Sequence, residues 1–250
     1  MQSRLPRLAD VPVSLIATPA QPCPYFSNRT AMMLYWPSQA PGGSAYQQLM
    51  DWGFRRTGNI AYTTGCQDCL SCVPIRVPVN EFRPSRSQRR ACSKNADVRV
   101  EFNTPTCDRV RLDVYSRYLA EQHGRCDPPD VLEYTRLFVS GPAGKLEMSY
   151  WVDDRLVGVG IVDETPLALS SVYFYYDPPE RARSLGVFSA LCEIEECRKR
   201  GLLYWYAGYY VRGCRKMEYK AEYQPHEFLH PDAVWRREFP EPVACAPGGR

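Results

Sequence analysis

Long apolar runs are missing from this 250-residue chain. Nothing approaches the roughly 20 consecutive apolar residues that a bilayer-spanning helix needs, so no membrane role is expected. Histidine is scarce. The three present, His123, His226 and His230, stand in no recognisable arrangement with a serine or cysteine, which argues against a nucleophilic hydrolase. Charge of one sign hardly dominates: 31 Lys and Arg face 28 Asp and Glu, a net +3, so attraction to any polyanion must be local. No internal repeat or low-complexity tract appears. The start, MQSRLPRLADVPVSLIATPAQPC, lacks a signal-peptide pattern, because its apolar piece at residues 11–17 is short and broken by Pro12 and Ser14. A cytoplasmic location is expected. The eleven cysteines are then expected as reduced thiols, metal ligands or small hydrophobes rather than a disulfide framework.

What is present is a soluble, globular composition, 44% hydrophobic and 24% charged, in a chain long enough for one large domain or two modest ones. Residues 1–22 read as an extended arm. Residues 23–82 read as a small N-terminal domain. In it, YQQLMDW has helical spacing, FRRTGNIAYT suits a strand or hairpin, and CVPIRVPV alternates Val73, Ile75, Val77 and Val79 on one face. The two prolines of that last segment make it an edge strand at best. Residues 83–103 read as a basic surface linker. From residue 104 to 238 the pattern is mixed: an amphipathic helix over residues 108–123, a second over 130–139, strands LEMSYWV, RLVGVGIVDE and LSSVYFYYD, a helix over 184–200 with Ser184 as N-cap, and a strand LLYWYAGYY. Residues 239–250 read as a tail.

Four motifs carry chemistry. First, GCQDCLSC spaces Cys66, Cys69 and Cys72 as C-x2-C-x2-C, a pattern that wraps zinc or an iron–sulfur cluster, with Cys23 as the candidate fourth ligand. The competing reading is three ordinary thiols in a cysteine-rich chain. Second, RPSRSQRR sets Arg83, Arg86, Arg89 and Arg90 beside serines, suited to a phosphate backbone, or to a plain solvated linker. Third, a strand, a turn with Arg181 and Arg183, and SLG at a helix start offer free backbone N–H groups to an anion. That order resembles the acyl-donor site of the acetyltransferase (GNAT) fold. Of the family's R/Q-x-x-G-x-G/A loop, RARSLGVFS keeps only Arg183 and Gly186 in compatible positions, so coenzyme A is a poor fit. Fourth, YWYAGYYVRGCRKMEYKAEYQP interleaves six tyrosines with Arg212, Arg215, Lys216 and Lys220. This suits stacking on an unpaired nucleotide end, or tyrosines packed in a core.

Together CPYFSNRTA, GFRRTGNIAY, CQDCLSCVPIRVPV, FRPSRSQRR, LVGVGIVD, LSSVYFYYDP, SLGVFSALCEIE and YAGYYVRGCRKMEYKAEYQP, in this order over residues 23–228, resemble the arginyl-tRNA–protein transferase family. The similarity is to its bacterial aspartate/glutamate leucyltransferase branch. The resemblance implies an α+β protein: a small N-terminal α/β domain with a cysteine-rich site, then an acetyltransferase (GNAT)-like domain with a central mixed sheet. It implies transfer of an amino acid, leucine favoured over arginine, from charged tRNA to proteins that begin with Asp or Glu, marking them for degradation in the N-degron pathway. No cofactor is required for such chemistry, although some members hold an iron–sulfur cluster on N-terminal cysteines. It also implies roles: Tyr173, Tyr175 and Asp177 near the catalytic strand end; Arg183, Ser184, Leu185 and Gly186, with Arg83, Arg86, Arg89 and Arg90, on the tRNA; and Arg76, Arg212, Arg215, Lys216 or Lys220 on the acidic N-terminal residue.

Overall fold

The computed structural model describes residues 13–66, 69–142 and 144–240. Residues 1–12 of the expected arm and 241–250 of the expected tail lie outside them. The first part supplies β1 (Ile16–Ala17), β2 (Gln21–Pro22), β3 (Thr30–Ala31), β4 (Met33–Tyr35), helix α1 (Gly43–Asp51) and the hairpin β5 (Arg55–Thr57) and β6 (Ile60–Thr64). β1, β4, β6 and β5 lie side by side in that order as an antiparallel sheet, and β2 pairs with β3. Next come β7 (Cys72–Pro78), α2 (Arg86–Lys94), β8 (Arg99–Asn103), α3 (Arg109–His123) and α4 (Val131–Tyr134). The chain continues through β9 (Lys145–Val152), β10 (Arg155–Glu164), β11 (Ala168–Tyr176), α5 (Leu185–Lys199), β12 (Tyr204–Val211), α6 (Arg215–Glu218), β13 (Glu227–Leu229) and β14 (Trp235–Arg236). Among the described residues these strands form an eight-stranded mixed sheet in the order β14-β13-β7-β12-β11-β10-β9-β8, with β11 and β12 parallel.

The elements follow from local chemistry. Asp108 caps α3 by accepting from the Arg111 N–H at 2.8 Å, and Gly124 ends it in the left-handed region. Val114, Tyr115 and Leu119 form its buried stripe, whereas Val110 is exposed. Asp130 caps α4, which continues as a π-helical turn over Thr135–Val139. Thus α3 and α4 cover one face of the sheet through Val159, Ile161 and Tyr175. Helix α5 covers the other through Leu185, Leu191 and Ile194. Each such apolar side chain contributes about 1.5–3 kcal/mol on burial.

Two expectations from sequence need correction. Residues 83–103, read as a linker, contain α2 and the edge strand β8. The segment SRSQ is a capping box: Ser85 Oγ accepts from the Gln88 N–H at 3.3 Å, and Gln88 Oε1 accepts from the Ser85 N–H at 2.8 Å. Only Gln88 and Ala91 are buried, so no apolar stripe announced the helix. Strand β7 is internal, with β12 on one side and β13 on the other. β13 pairs it only at Arg76 and Ile75, so Pro74 and Pro78 fall outside that short ladder. The face assigned to Val73, Ile75, Val77 and Val79 is buried as expected. Ser184 holds the N-cap position of α5, yet its side chain makes no capping bond.

A bidentate ion pair ties β5 to β10. Arg56 donates to Asp163 at 2.6 and 2.5 Å, and both residues are buried. Removing one partner strands a charge in the interior. Arg56→Met is expected to cost about 3–5 kcal/mol in denaturant unfolding, and Arg56→Met with Asp163→Leu is expected to recover most of it. A loss under about 1 kcal/mol for the single variant would show that the pair does not hold the two sheets together.

Candidate active site

Parallel strands β11 and β12 pair at only three positions, Ala168 with Tyr204, Leu169 with Trp205 and Ser170 with Tyr206. Both strands then bend. The register of β11 against β10 slips between Ser171 and Tyr173, and that of β12 against β7 slips between Tyr206 and Gly208. Bulges of this kind turn a strand away from its neighbour. Gly208 has φ +95°, a conformation that favours glycine, and a methyl group there would lie 3.2 Å from Lys220 Nζ. The strands therefore part, and a cavity of about 620 Å³ opens between them.

Its walls are Val172, Tyr173, Phe174 and Tyr176 from β11, Leu185 and Gly186 from the start of α5, and Met217 and Tyr219 beyond β12. Lys220 and Glu193 also line it. Lys220 Nζ donates to the Tyr209 carbonyl at 3.0 Å. Loss of water, and then the neighbouring Arg55 guanidinium, push its pKa down to about 7. Arg55, buried on β5, donates through Nη2 to the Ser171 carbonyl at 2.7 Å, while its buried Nη1 has no partner. Burial pushes Glu193 up to about 7, against the hydrogen bonds it accepts from Trp205, Ser189 and Ser171 and the nearby Arg55 charge. The gap is thus lined by one lysine and one carboxyl, both short of water, with the buried Arg55 behind them at the Ser171 carbonyl.

The residues singled out from sequence are distributed unevenly around this gap. Tyr173, Ser184, Leu185, Gly186 and Lys220 line it. Tyr175 is fully buried, and its hydroxyl bonds that of Tyr134 at 2.6 Å. Asp177 is buried and is taken by Arg117 at 2.8 Å and Arg155 at 3.5 Å. Arg183 is engaged with Asp97 at 2.7 Å and Glu180 at 2.5 Å. Arg76 is committed as well: it donates to Glu227 at 2.8 Å and Tyr206 at 3.1 Å and stacks on Tyr204 at 3.8 Å and Trp235 at 4.4 Å. Arg215 and Lys216 are exposed, and Arg212, also exposed, lies over the Phe239 ring. Arg83, Arg86, Arg89 and Arg90 are exposed on and just before α2. Arg90 and Lys94 line a second cavity of about 420 Å³ that shares Ser184, Val187 and Tyr219 with the first.

Cys23, Cys66, Cys69 and Cys72 are half-buried neighbours. Burial, and then the Cys66, Cys69, Cys23 and Cys214 sulfurs, push the Cys72 thiol up to about 12. Arg29 and Ser71 flank Cys69, whose sulfur lies 3.3 Å from each, and Cys66 Sγ accepts from the Met32 N–H at 3.5 Å. Among the described residues, no three His, Cys, Asp or Glu side chains converge in an arrangement that would hold a metal ion.

Arg55, Glu193 and Gly208 were missed from sequence. The signal for Glu193 lies in α5, where Leu185, Ser189, Glu193 and Cys197 recur every four residues and all are buried, so an acid sits on the apolar stripe. For Arg55 it is FRRTG, a strand whose adjacent arginines both turn out buried.

Comparison with known proteins places the chain in a family. The family profile for the N terminus of arginine-tRNA-protein transferase matches residues 21–90, and that for its C terminus matches residues 110–230. The chain belongs to the arginine-tRNA-protein transferase family. This transferase is 38% identical over 216 residues to the aspartate/glutamate leucyltransferase of Pseudomonas savastanoi pv. phaseolicola, covering 85% of this chain and 92% of the relative. It is 34% identical over 220 residues to that of Hahella chejuensis, covering 87% and 94%. It is therefore an aminoacyltransferase. Among solved structures, the C-terminal domain of a putative lysylphosphatidylglycerol synthetase from Agrobacterium fabrum matches at TM-score 0.48 and 11% identity, over 88% of this chain and 84% of that one. No helix among the described residues of the transferase is long and apolar enough to cross a membrane.

Proposed function

We propose that this transferase moves leucine from charged tRNA to the α-amino group of proteins that begin with Asp or Glu, acting in the cytoplasm to mark them for degradation. The observation that carries this reading is the cavity between parted parallel strands, with Val172, Phe174, Leu185 and Met217 on its walls, Lys220 among its lining residues and Arg55 next to Lys220. Parted strands are the device by which the acetyltransferase (GNAT) fold holds an acyl donor, and the second half of this chain is read as that fold. The donor ester would lie along β11 near Tyr173. Its leucyl side chain would meet Val172, Phe174, Leu185 and Met217, and a backbone N–H of the parted strand would serve the oxyanion.

Arginine is the weaker donor. The one carboxyl among the lining residues is Glu193, which already accepts from Trp205, Ser189 and Ser171. Coenzyme A is weaker still, because Arg183 is neutralised by Asp97 and Glu180. Of the five cations considered for the acceptor's acidic side chain, Lys220 is favoured, since it alone of them lines the cavity, and Arg55 joins it through its unpartnered Nη1. A carboxylate entering there would meet charge in a water-poor setting, where attraction is strongest. The tRNA's terminal phosphates would run over Ser184 and Gly186 into the second cavity, toward Arg90 and Lys94.

Lys220→Met is expected to lower kcat/KM for an Asp-starting peptide roughly 30- to 1000-fold, about 2–4 kcal/mol of lost charge pairing, while leaving tRNA binding within about twofold. Steady-state transfer assays with a binding isotherm for the charged tRNA check this, and an unchanged kcat/KM would remove Lys220 from the acceptor pocket. Replacing Arg86, Arg89 and Arg90 by Gln is expected to weaken tRNA binding and to flatten its log–log salt dependence by about 2, at roughly 0.7 per lost phosphate contact. An unaltered slope over a salt titration would take α2 out of the tRNA footprint.

A further inference from the structure

Aminolysis of an ester has one demand that the acceptor and donor subsites do not meet. The amine must lose a proton as its nitrogen bonds the carbonyl carbon. Asp177, the carboxylate nearest in sequence to the catalytic strand end, is held by Arg117 and Arg155 and does not line the cavity. The Tyr173 hydroxyl is no substitute, since burial pushes its pKa up and keeps it a neutral phenol, which cannot take the proton. Lys220 sits beside Arg55, and an acceptor carboxylate arriving between them stabilises the charged ammonium, which keeps its proton.

Glu193 is placed differently. It lies on the inner face of α5, 2% exposed, and lines the cavity. Its Oε2 accepts from the Trp205 indole N–H at 2.7 Å, which fixes the carboxyl plane. Its Oε1 faces two hydroxyls, Ser189 at 3.2 Å and Ser171 at 3.5 Å. Ser189 is itself held by the Tyr150 hydroxyl at 2.8 Å. Ser171 sits at the bend where β11 leaves β12, on the cavity wall, and its carbonyl is gripped by Arg55. A buried acid, a hydroxyl on the wall of the donor cavity and a fixing indole thus form one line.

We propose that Glu193, acting through the Ser171 hydroxyl, accepts the proton of the attacking α-amine. This rests on the transfer reaction proposed above. The amine nitrogen bonds the ester carbon and gives a proton to Ser171 Oγ, whose own proton passes to Glu193 Oε1. The carbon–oxygen bond to the terminal ribose breaks, and the proton held by Glu193 returns through Ser171 to that leaving oxygen. The amide and the free ribose hydroxyl account for every proton, and Glu193 ends as it began, a carboxylate. Ser171 would touch the reacting atoms, and Glu193 is the positioned proton acceptor behind it.

The pH dependence follows in sign. Burial raises Glu193 to about 7, so the carboxylate form that can take a proton gains population as pH rises through that value. The titratable and charged groups around it are Arg55 from β5, Tyr150 from β9, Cys192 and Cys197 on its own helix, Tyr219 and Tyr223 beyond α6, and Lys220 across the same cavity. Burial pushes Lys220 down to about 7, and its loss of charge above that pH would raise the KM for the acidic peptide rather than kcat. Arg55 favours the carboxylate, whereas ionised thiols or phenols would oppose it. Burial pushes the Cys192 and Cys197 thiols up to about 12 and the three tyrosines upward, so all five are neutral where Glu193 titrates.

The test uses the full chain with leucyl-tRNA and an Asp-starting peptide, measuring kcat and both KM values from about pH 6 to 8. Wild-type kcat is expected to rise with pH through about 7. Glu193→Gln is expected to lower kcat roughly 100-fold, to leave both KM values within about threefold, and to remove that rise. Ser171→Ala, which keeps the Trp205 bond to Glu193, is expected to lower kcat at least about tenfold with the same loss of pH dependence. It reads the relay even where the Gln variant fails to fold. A Glu193→Gln or Ser171→Ala enzyme that keeps wild-type kcat, or that loses rate with its pH profile intact, overturns the assignment. A wild-type enzyme that leucylates no Asp-starting peptide overturns the underlying reaction instead.

Discussion

The separation of two parallel strands is the constraint on which the rest of the molecule depends. β11 and β12 are held by three residue pairs and then released, each bent by a slip in its ladder to the neighbour on its far side. Backbone groups left along such a gap must be satisfied by something other than a strand. Arg55 and Lys220 do this in part, donating to the Ser171 and Tyr209 carbonyls from outside the sheet. The opening is therefore bridged by cations, and on the function proposed above the same cations would receive a carboxylate.

Placing Arg55 there explains why the first part of the chain is built against the second. Its strand β5 is fixed to β10 by the buried Arg56–Asp163 pair, one residue away from the arginine that reaches the gap. Helix α1 adds Tyr46, Leu49 and Met50 against Ala168 and Tyr206, at the three-residue ladder itself. Strand β7 leaves the cysteine-rich segment and joins the large sheet directly next to β12. The two family segments thus pack together beside the cavity, whose lining residues come from the C-terminal segment while Arg55 of the N-terminal segment holds the Ser171 carbonyl behind it. On the opposite wall, α5 supplies a glycine-containing start and, two turns later, a buried carboxyl. Burial pushes Lys220 down, with the Arg55 charge adding to it, and pushes Glu193 up against its hydrogen bonds and Arg55, so both titrate near 7.

Much of this was legible in the chain. The alternation of RLVGVGIVDE and LSSVYFYYD, the stripe of α3 and the strand–turn–helix leading into α5 each appear where periodicity puts them. Lys220 was among the cations singled out, and Tyr173 and the SLG segment do line the cavity. Helix α2 was hidden because its stability comes from a capping box and a buried glutamine, not from an apolar stripe. The internal position of β7 was hidden because the proline rule assumes a full-length partner on each side, and β13 is too short to meet the prolines. Arg55 and Glu193 were hidden for a common reason. A charged side chain reads as solvated in a sequence, and only the packing around a parted sheet tells which ones are buried. Asp177 and Arg76 are the converse: charged residues at suggestive positions whose partners, Arg117 and Arg155 for one and Glu227 for the other, are distant in sequence.

The central claim is that a cavity with apolar walls and a cationic inner end passes leucine from tRNA to an acidic N-terminus. One competition assay addresses it directly. The full chain receives leucyl-tRNA, arginyl-tRNA and acetyl-coenzyme A together with a peptide that begins with Asp, and the peptide is weighed afterwards by mass spectrometry. A peptide heavier by one leucyl residue is the predicted product. A peptide carrying an arginyl or acetyl group, or none, would contradict the account.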